Sequence, residues 1–193
     1  MTDLRAYTAS ETMIDGRKLL IRAIRPDDKQ ALQDGIRRQS AESVYFRFFR
    51  PKRHLSDTEL TYLTELDFVT HVALGAQTRE KGVDLPIGVG RYIVNGSADR
   101  VRSAEVALMV DDAYQGRGVG KALLRHLVAI AREAGIDQFV ATVLPDNRKM
   151  LGVFASSGLP LRRSYQSGLI DVSLKISSED DLRGTPQCNA ANS

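Results

Sequence analysis

Cysteine and tryptophan are nearly missing from this chain of 193 residues, which has one cysteine and no tryptophan. Because Cys188 stands alone in a polar tail, an internal disulfide and a cysteine-rich zinc site are excluded, and we give this residue no role. Long apolar runs are missing as well, and we find neither a membrane span nor a signal peptide. We therefore expect a cytoplasmic protein that does not enter a membrane.

An excess of charge of one sign is also missing. The formal net charge of +3 is too small to indicate a nucleic-acid partner, and no basic run carries interleaved aromatic residues. The three histidines, His54, His71 and His126, lie far apart without a carboxylate at metal-ligand spacing, so we expect no metal. The content of 42% hydrophobic and 26% charged residues is that of an ordinary globular protein, and the length suits one domain.

Hydropathy patterning divides the chain into three parts. Residues 1–16 are polar and unpatterned, which predicts a flexible N-terminal arm. Residues 17–176 form a single domain. Residues 177–193 lack large apolar residues apart from Leu182, which predicts a disordered tail.

The domain reads as a mixture of helices and strands, an α+β fold. Helices are expected over residues 26–38, from about residue 40, and over 56–66, where Ser56 and Glu59 have the spacing of a capping box. Strand patterns cover residues 17–25, 69–76, 86–94, 105–110, 138–144, 160–165 and 169–176. We predict a mostly antiparallel sheet with flanking helices. The strand over 138–144 follows a helix and should lie parallel to the strand over 105–110.

The most informative stretch runs from residue 105 to 134, where a strand, a glycine-rich turn and a long helix follow one another. Glycines at positions 116, 118 and 120 let consecutive backbone N–H groups converge on an anion at the positive end of the helix. The expected ligand is a phosphate. Neither common nucleotide motif fits, because G-x-G-x-x-G has no frame here, and the turn is one residue short of a P-loop and is followed by Ala122 instead of a hydroxyl.

The sequence Gln115-Gly116-Arg117-Gly118-Val119-Gly120 resembles the Q/R-x-x-G-x-G/A turn of the GCN5-related N-acetyltransferases (GNAT), which holds the pyrophosphate of coenzyme A. Residues 145–150, followed by Phe154 and Gly158-Leu159, resemble the family pattern N-x-x-A-x-x-x-Y-x-x-x-G-F, with departures at Met150, Phe154 and Leu159. Within the family, residues 42–49, 104–107 and 144–150 are most similar to bacterial protein-lysine acetyltransferases that act on acyl-CoA synthetases. Those proteins often carry a synthetase-like or cyclic-nucleotide-binding domain, for which this chain is too short, so we expect no built-in regulator.

The resemblance implies a GNAT fold, with a twisted sheet, and a set of residues around acetyl-CoA. These residues are Leu108, Met109 and Val110 near the thioester and its carbonyl oxygen; Gln115, Gly116, Arg117, Gly118, Val119, Gly120 and Lys121 around the pyrophosphate; and Asn147, Met150 and Phe154 along the pantetheine. Alternatives remain for three of them: Asn147 as a simple helix cap, and Arg117 and Lys121 as solvated side chains.

Acetyl transfer to an amine needs a proton acceptor, because a lysine ammonium has a pKa of about 10.4. Glu105 opens the strand next to where the family places the thioester, and as a lone acid in an apolar run it is costly unless it faces water or has a function. We predict that Glu105 is the general base, with a strand-end salt bridge as the alternative. For Asp111 and Asp112 we prefer a solvated loop, and for the aromatic residues of segment 45–49 packing over substrate contact.

The sequence therefore predicts an acetyl-CoA-dependent N-acetyltransferase, monomeric or homodimeric, whose acceptor is a protein lysine. A small-molecule amine is the alternative acceptor, and a catalytically silent acyl-CoA-binding module is the alternative from another class of protein.

Overall fold

The computed structural model describes residues 3–96 and 101–177. Within these residues eight strands form one sheet in the order β1-β2-β3-β4-β5-β6-β8-β7. All neighbouring strands are antiparallel except β5 and β6, which are parallel. The strands are β1 (Thr8–Thr12), β2 (Lys18–Ala23), β3 (His71–Glu80), β4 (Val83–Val94), β5 (Ser103–Val110), β6 (Gln138–Val143), β7 (Leu161–Gln166) and β8 (Leu169–Lys175).

Five α-helices flank the sheet in the described part of the chain: α1 (Lys29–Arg38), α2 (Ala41–Phe48), α3 (Asp57–Thr64), α4 (Val119–Glu133) and α5 (Arg148–Ala155). The predicted capping box at Ser56 and Glu59 begins α3, and the Ser40 side chain caps α2. The predicted α+β class, with a mostly antiparallel sheet and one parallel pair, is confirmed.

Helix α4 packs on one face of the central strands. Leu123 and Leu127 are fully buried there. A Cβ added to Gly90 on β4 would lie 2.7 Å from a Leu108 carbon and 3.0 Å from a Leu127 carbon, so only glycine allows this close approach. Helices α1 and α2 contact β4 and β5 respectively. Side chains alternate along a strand, and Glu105 and Met109 on β5 therefore lie on the face opposite to Leu108.

The predicted N-terminal arm is wrong over part of its length. Thr8–Thr12 forms strand β1, which pairs with β2 from Thr8↔Arg22 to Thr12↔Lys18. The pattern was missed because β1 is an edge strand with no fully buried residue, and its sequence TASET is polar. Of the tail predicted over residues 177–193, residues 178–193 lie outside the described residues, as do residues 97–100.

Strands β5 and β6 pair only over a short stretch. Their register runs from Ser103↔Gln138 to Glu105↔Val140, although β5 continues to Val110 and β6 to Val143. Beyond Glu105 the two strands therefore separate, and their diverging ends leave a gap in the sheet that leads to the start of α4.

Candidate active site

A cleft of about 750 Å³ occupies the gap between β5 and β6. Its walls come from β5, β6, α2, the turn before α4, and α5. All but one of the predicted site residues line it: Glu105, Leu108, Met109, Val110, Gln115, Gly116, Gly118, Val119, Gly120, Lys121, Asn147, Met150 and Phe154. The exception is Arg117, which is not among the lining residues.

The glycine turn presents free N–H groups to this cleft. Gly116 and Gly118 have φ angles of 74° and 88°, in the left-handed region that suits glycine, and Gly118 is the N-cap of α4. Among the hydrogen bonds of residues 3–96 and 101–177, none is donated by the backbone N–H groups of residues 116–121. Six successive donors at the positive end of a 15-residue helix form a strong anion site.

Strand β5 supplies a second row of free backbone groups. The N–H of Asp111 donates to Ile87 on β4, and Ser103 accepts from Asn95 after β4, so the odd-numbered residues of β5 bond to β4. Alternation then turns the backbone groups of Leu108 and Val110 towards the cleft, where β6 has diverged. The family resemblance places the thioester carbonyl oxygen near Met109 or Val110. The geometry favours the backbone N–H of Val110 as its donor, because the N–H of Met109 faces β4.

The Gln115 side chain holds the turn in place instead of facing the cleft as a free donor. Its Nε2 donates to Asp112 Oδ1 at 2.7 Å and to the Val110 carbonyl oxygen at 3.2 Å, and its Oε1 accepts from Lys149 Nζ at 2.7 Å. Asp112 Oδ2 also accepts from the N–H of Ser40 at 2.6 Å. Burial opposes ionisation of Asp112, but hydrogen bonds from Ser43 and Ser40 outweigh it and lower the pKa of Asp112.

The prediction that Asp111 and Asp112 lie in a solvated loop is therefore wrong. Asp111 is buried and pairs with Arg38 Nε at 2.9 Å. Together the two aspartates connect α1 and α2 to the end of β5. No local pattern indicates these contacts, because Arg38 and Ser40 lie 73 and 72 residues earlier in the chain than their partners.

The hairpin of β1 and β2 contacts the glycine turn from outside the cleft, and it explains the placement of Arg117. The N–H of Ile14 donates to the Arg117 carbonyl oxygen at 3.1 Å. The Arg117 guanidinium pairs with Asp15 at 2.7 Å and lies over the ring of Tyr114. The charge of Arg117 is thus balanced by Asp15 of the hairpin, whereas the backbone N–H of Arg117 remains part of the turn.

Helix α5 forms the wall opposite β5. The Asn147 side chain caps it by accepting from the N–H of Met150 at 3.1 Å, as the sequence suggested. Phe154 is 1% exposed and belongs to the core cluster as well as to the wall of the cleft. Ser156, an exposed residue two positions after Phe154, also lines the cleft, and its hydroxyl donates to the Val153 carbonyl oxygen at 3.0 Å.

Glu105 is exposed at the edge of the cleft on the face covered by α2. Its carboxylate has no hydrogen bond or ion pair with any described residue. Arg47 on α2, which the sequence analysis missed, is close enough to interact electrostatically with it. Burial lowers the pKa of Arg47, and the charge of Glu105 partly offsets that effect. A carboxylate free to accept a proton therefore lies beside the exposed backbone of β5.

The cleft fits acetyl-CoA by its donor set. A pyrophosphate matches the six free N–H groups of the turn, and an amide-containing pantetheine arm matches the free backbone groups of β5. Among the described residues, no three histidine, cysteine, aspartate or glutamate side chains cluster so that they could hold a metal ion. No helix in that part of the chain is long and apolar enough to cross a membrane.

The sequence profile of the Acetyltransferase (GNAT) family matches residues 38–159, which include α2, β5, the glycine turn and all of α5. The chain belongs to the GNAT acetyltransferase family. Acetyltransferase PA5475 of Pseudomonas aeruginosa is 30% identical to this GNAT protein over 148 residues, which are 77% of this chain and 78% of PA5475.

Solved structures of GNAT proteins agree. The GNAT domain of S. lividans PAT is 38% identical, with a TM-score of 0.77 over 87% of this chain and 96% of that domain. The acetyltransferase yncA from Salmonella typhimurium, solved with acetyl-CoA, has the same fold with a TM-score of 0.66 and 20% identity, over 82% of this chain and 94% of yncA. This GNAT protein is an acetyl-CoA-dependent acetyltransferase.

Proposed function

We propose that this GNAT enzyme transfers the acetyl group to a primary amine by direct attack, and that Glu105 is the general base. The carboxylate of Glu105 carries the proposal, because it lies at the cleft without a protein partner among the described residues. Asp112, which also lines the cleft, is unsuitable as a base since its oxygens accept hydrogen bonds from Ser40, Ser43 and Gln115.

The reaction follows from the order of groups along the cleft. The glycine turn binds the pyrophosphate, and the backbone of Leu108 and Val110 aligns the pantetheine with the thioester near Glu105. Glu105 takes the proton from the acceptor ammonium, directly or through water, and the neutral amine attacks the thioester carbonyl. The N–H of Val110 stabilises the developing oxyanion. The tetrahedral intermediate then collapses as the carbon–sulfur bond breaks, the nitrogen loses its extra proton to the departing coenzyme A thiolate or to water, and no covalent enzyme intermediate is needed.

The proposed acceptor is a lysine side chain of a protein. The resemblance of residues 42–49 and 144–150 to protein-lysine acetyltransferases supports it, as does 38% identity to the GNAT domain of S. lividans PAT. A small amine is the second candidate, because a smaller cavity that shares Arg47 and Met109 with the cleft has room for a compact group. The cytoplasmic location and the oligomeric state remain predictions.

The test is Glu105→Gln with Glu42→Gln as its matched control. Glu42 also lines the cleft without a partner among the described residues, but it lies on α2 and not beside the β5 backbone. We expect Glu105→Gln to lower kcat at pH 7 by about 10²–10⁴-fold, with partial recovery at high pH where free amine is abundant. Glu42→Gln should retain turnover. Both variants should keep their acetyl-CoA affinity in calorimetry. Wild-type kinetics of Glu105→Gln across the pH range would refute the role of Glu105.

A further inference from the structure

Two arginines lie on the same face of the sheet as Glu105, and of these Arg47 lines the acetyl-CoA cleft whereas Arg91 does not. Arg91 on β4 is 5% exposed, and its register partner on β5 is Ala107, two residues from Glu105. Arg47 on α2 is half-buried and lines the cleft together with Glu105. Strand alternation thus places Arg91 on the covered side of the sheet, next to the position where the acceptor must approach.

Neither guanidinium pairs with a carboxylate within the described ranges of the chain. Arg91 Nη1 lies 3.2 Å from His71 Nε2 and 3.5 Å from the Leu63 carbonyl oxygen. Burial lowers the pKa of His71 to about 4, so this imidazole is neutral and adds no negative charge. Burial, and then Arg47, lowers the pKa of Arg91 to about 9, which leaves it charged at neutral pH. A buried charge without a counter-charge is costly, so Arg91 indicates that a ligand supplies one, and Arg47, which Glu105 offsets only in part, can share that ligand.

A second cavity of about 80 Å³ lies beside these arginines. Arg47 and Arg91 line it with apolar residues of α1 and α2, among them Ile36 and Phe48. It shares Arg47 and Met109 with the acetyl-CoA cleft, so the two cavities lie next to each other at these side chains. Arg38 also lines it, but its charge is balanced by Asp111. The cavity has room for a carboxylate and the carbon atoms that bear it, and not for a nucleotide.

We propose that the acceptor carries a carboxylate, which Arg47 and Arg91 bind while its amine faces Glu105. The proposal rests on the proposed transfer to an amine and adds the chemistry of the acceptor. A guanidinium matches a carboxylate with two parallel hydrogen bonds, which fixes its orientation. The α-carboxylate of a free amino acid or an acidic side chain beside a protein lysine supplies the same group.

Binding of a carboxylate is tested without turnover. The Nε–Hε signals of Arg47 and Arg91 are followed by nuclear magnetic resonance in the complex with coenzyme A, during titration with glutarate and, as the control, glutaramide. We expect saturable shifts of both signals with glutarate alone. The absence of a glutarate shift overturns the carboxylate site. Shifts combined with no acetylation of any amine would instead leave this site intact and refute the proposed amine acetylation.

Turnover identifies the source of the carboxylate. Two matched pairs of acceptors are compared: methionine with methioninamide, and two tetrapeptides with glutamate or glutamine before a lysine. We expect kcat/KM to be about 10- to 100-fold higher for the acid of one pair, as for a hydrogen-bonded charge pair. The pair in which the acid is preferred identifies whether the carboxylate belongs to a free amino acid or to a residue beside a protein lysine. Equal values within both pairs overturn the proposal.

Variants connect the preference to the two arginines. Arg47→Gln and Arg91→Gln should reduce the ratio of acid to amide to about one, whereas Arg125→Gln, an exposed residue on the opposite side of the sheet, should keep it. Thermal unfolding and acetyl-CoA calorimetry verify that each variant is folded. Arg91 is buried, and its replacement by glutamine could unfold the protein. Arg47 is less buried, so Arg47→Gln still tests the proposal if Arg91→Gln is unstable. A full preference in folded Arg47→Gln would overturn the assignment.

Discussion

Gly118 determines the direction of the N–H groups that face the phosphate. At its φ of 88° a side chain strains the backbone by about 1–3 kcal/mol, and relaxation of that strain would move the N–H groups out of line. A Cβ there would approach Ile14 only to 3.5 Å, so the effect is conformational and not a clash. We expect Gly118→Val to remove measurable acetyl-CoA binding in calorimetry while the protein stays folded.

Gly82 provides the matched control for this change. Its φ is 83°, and a Cβ there meets nothing within 4 Å. Gly82→Val in the β3–β4 turn should lose a similar amount of stability and keep its acetyl-CoA affinity. Undiminished affinity in folded Gly118→Val, or an equal loss in Gly82→Val, would contradict the role of the turn.

Phe154 stands where the family pattern has a tyrosine. Since a thiol with a pKa of about 8.5 can leave as its anion, the missing acid need not prevent turnover. We expect Phe154→Tyr to keep kcat, and Phe154→Ala to raise the KM for acetyl-CoA because it removes a wall of the cleft. The buried position also predicts a loss of about 3–5 kcal/mol of stability in Phe154→Ala. Steady-state kinetics and urea unfolding measure both effects. A large rise of kcat in Phe154→Tyr would instead show that protonation of the thiolate limits the reaction.

Individual residues were predictable from sequence where a local pattern fixed their position. The glycine turn, the Asn147 cap and the strand that carries Glu105 are of this kind. The ion pair of Arg117 could not be predicted because its partner, Asp15, lies 102 residues earlier in the chain. Arg47 and Arg91 were missed because neither guanidinium forms an ion pair with a described carboxylate, and this becomes visible only when the neighbours of each side chain are known.

Among the elements, the hairpin of β1 and β2 departs furthest from expectation, and it supports the phosphate turn. The turn between its strands has Gly16 N–H bonded to the Met13 carbonyl, with Ile14 in the position where proline is favoured. Ile14→Pro should therefore preserve the hairpin but remove the N–H that binds Arg117. We expect a rise of about 3- to 10-fold in the dissociation constant of acetyl-CoA, as for the loss of one hydrogen bond that positions the turn.

Ile14→Ala is the control for the hairpin, because it shortens the exposed side chain and keeps the N–H. Calorimetry should give a wild-type dissociation constant for this variant. Equal affinities of the proline and alanine variants would mean that the hairpin does not position the turn.

On the scale of the whole molecule, His71 makes stability depend on pH. Its pKa is about 4 in the fold, lowered by burial and by Arg91, against about 6.5 in the unfolded chain. As the pH falls below 6.5, the unfolded chain binds a proton that the folded protein does not, so the free energy of unfolding decreases towards pH 4. The complete loss is at most about 3 kcal/mol.

Urea unfolding between pH 7 and pH 5 measures this effect above the range in which most carboxylates titrate. His71→Gln, which can still accept a hydrogen bond from Arg91, should flatten the decrease, whereas His54→Gln at an exposed position should leave it unchanged. The same decrease in His71→Gln as in the wild type would exclude His71 as its cause.

Apart from β1, the strands of the sheet and the order of the helices along the chain could be predicted from hydropathy. They depend on periods of two and 3.6 residues that the sequence displays locally. The divergence of β5 and β6 could not be predicted in the same way, because both strands have patterns that extend past their last paired residues. Only the family resemblance indicated where a cleft would open.

The hydrogen bond between Ile14 and Arg117 also bears on how the enzyme folds. Because the two residues are separated by most of the domain, the contact closes a long loop, and non-local contacts of this type form slowly. During synthesis the hairpin leaves the ribosome well before the glycine turn exists. In refolding experiments, competence to bind acetyl-CoA should thus appear after the helical signal of α4, and nascent chains that end before residue 117 cannot acquire it.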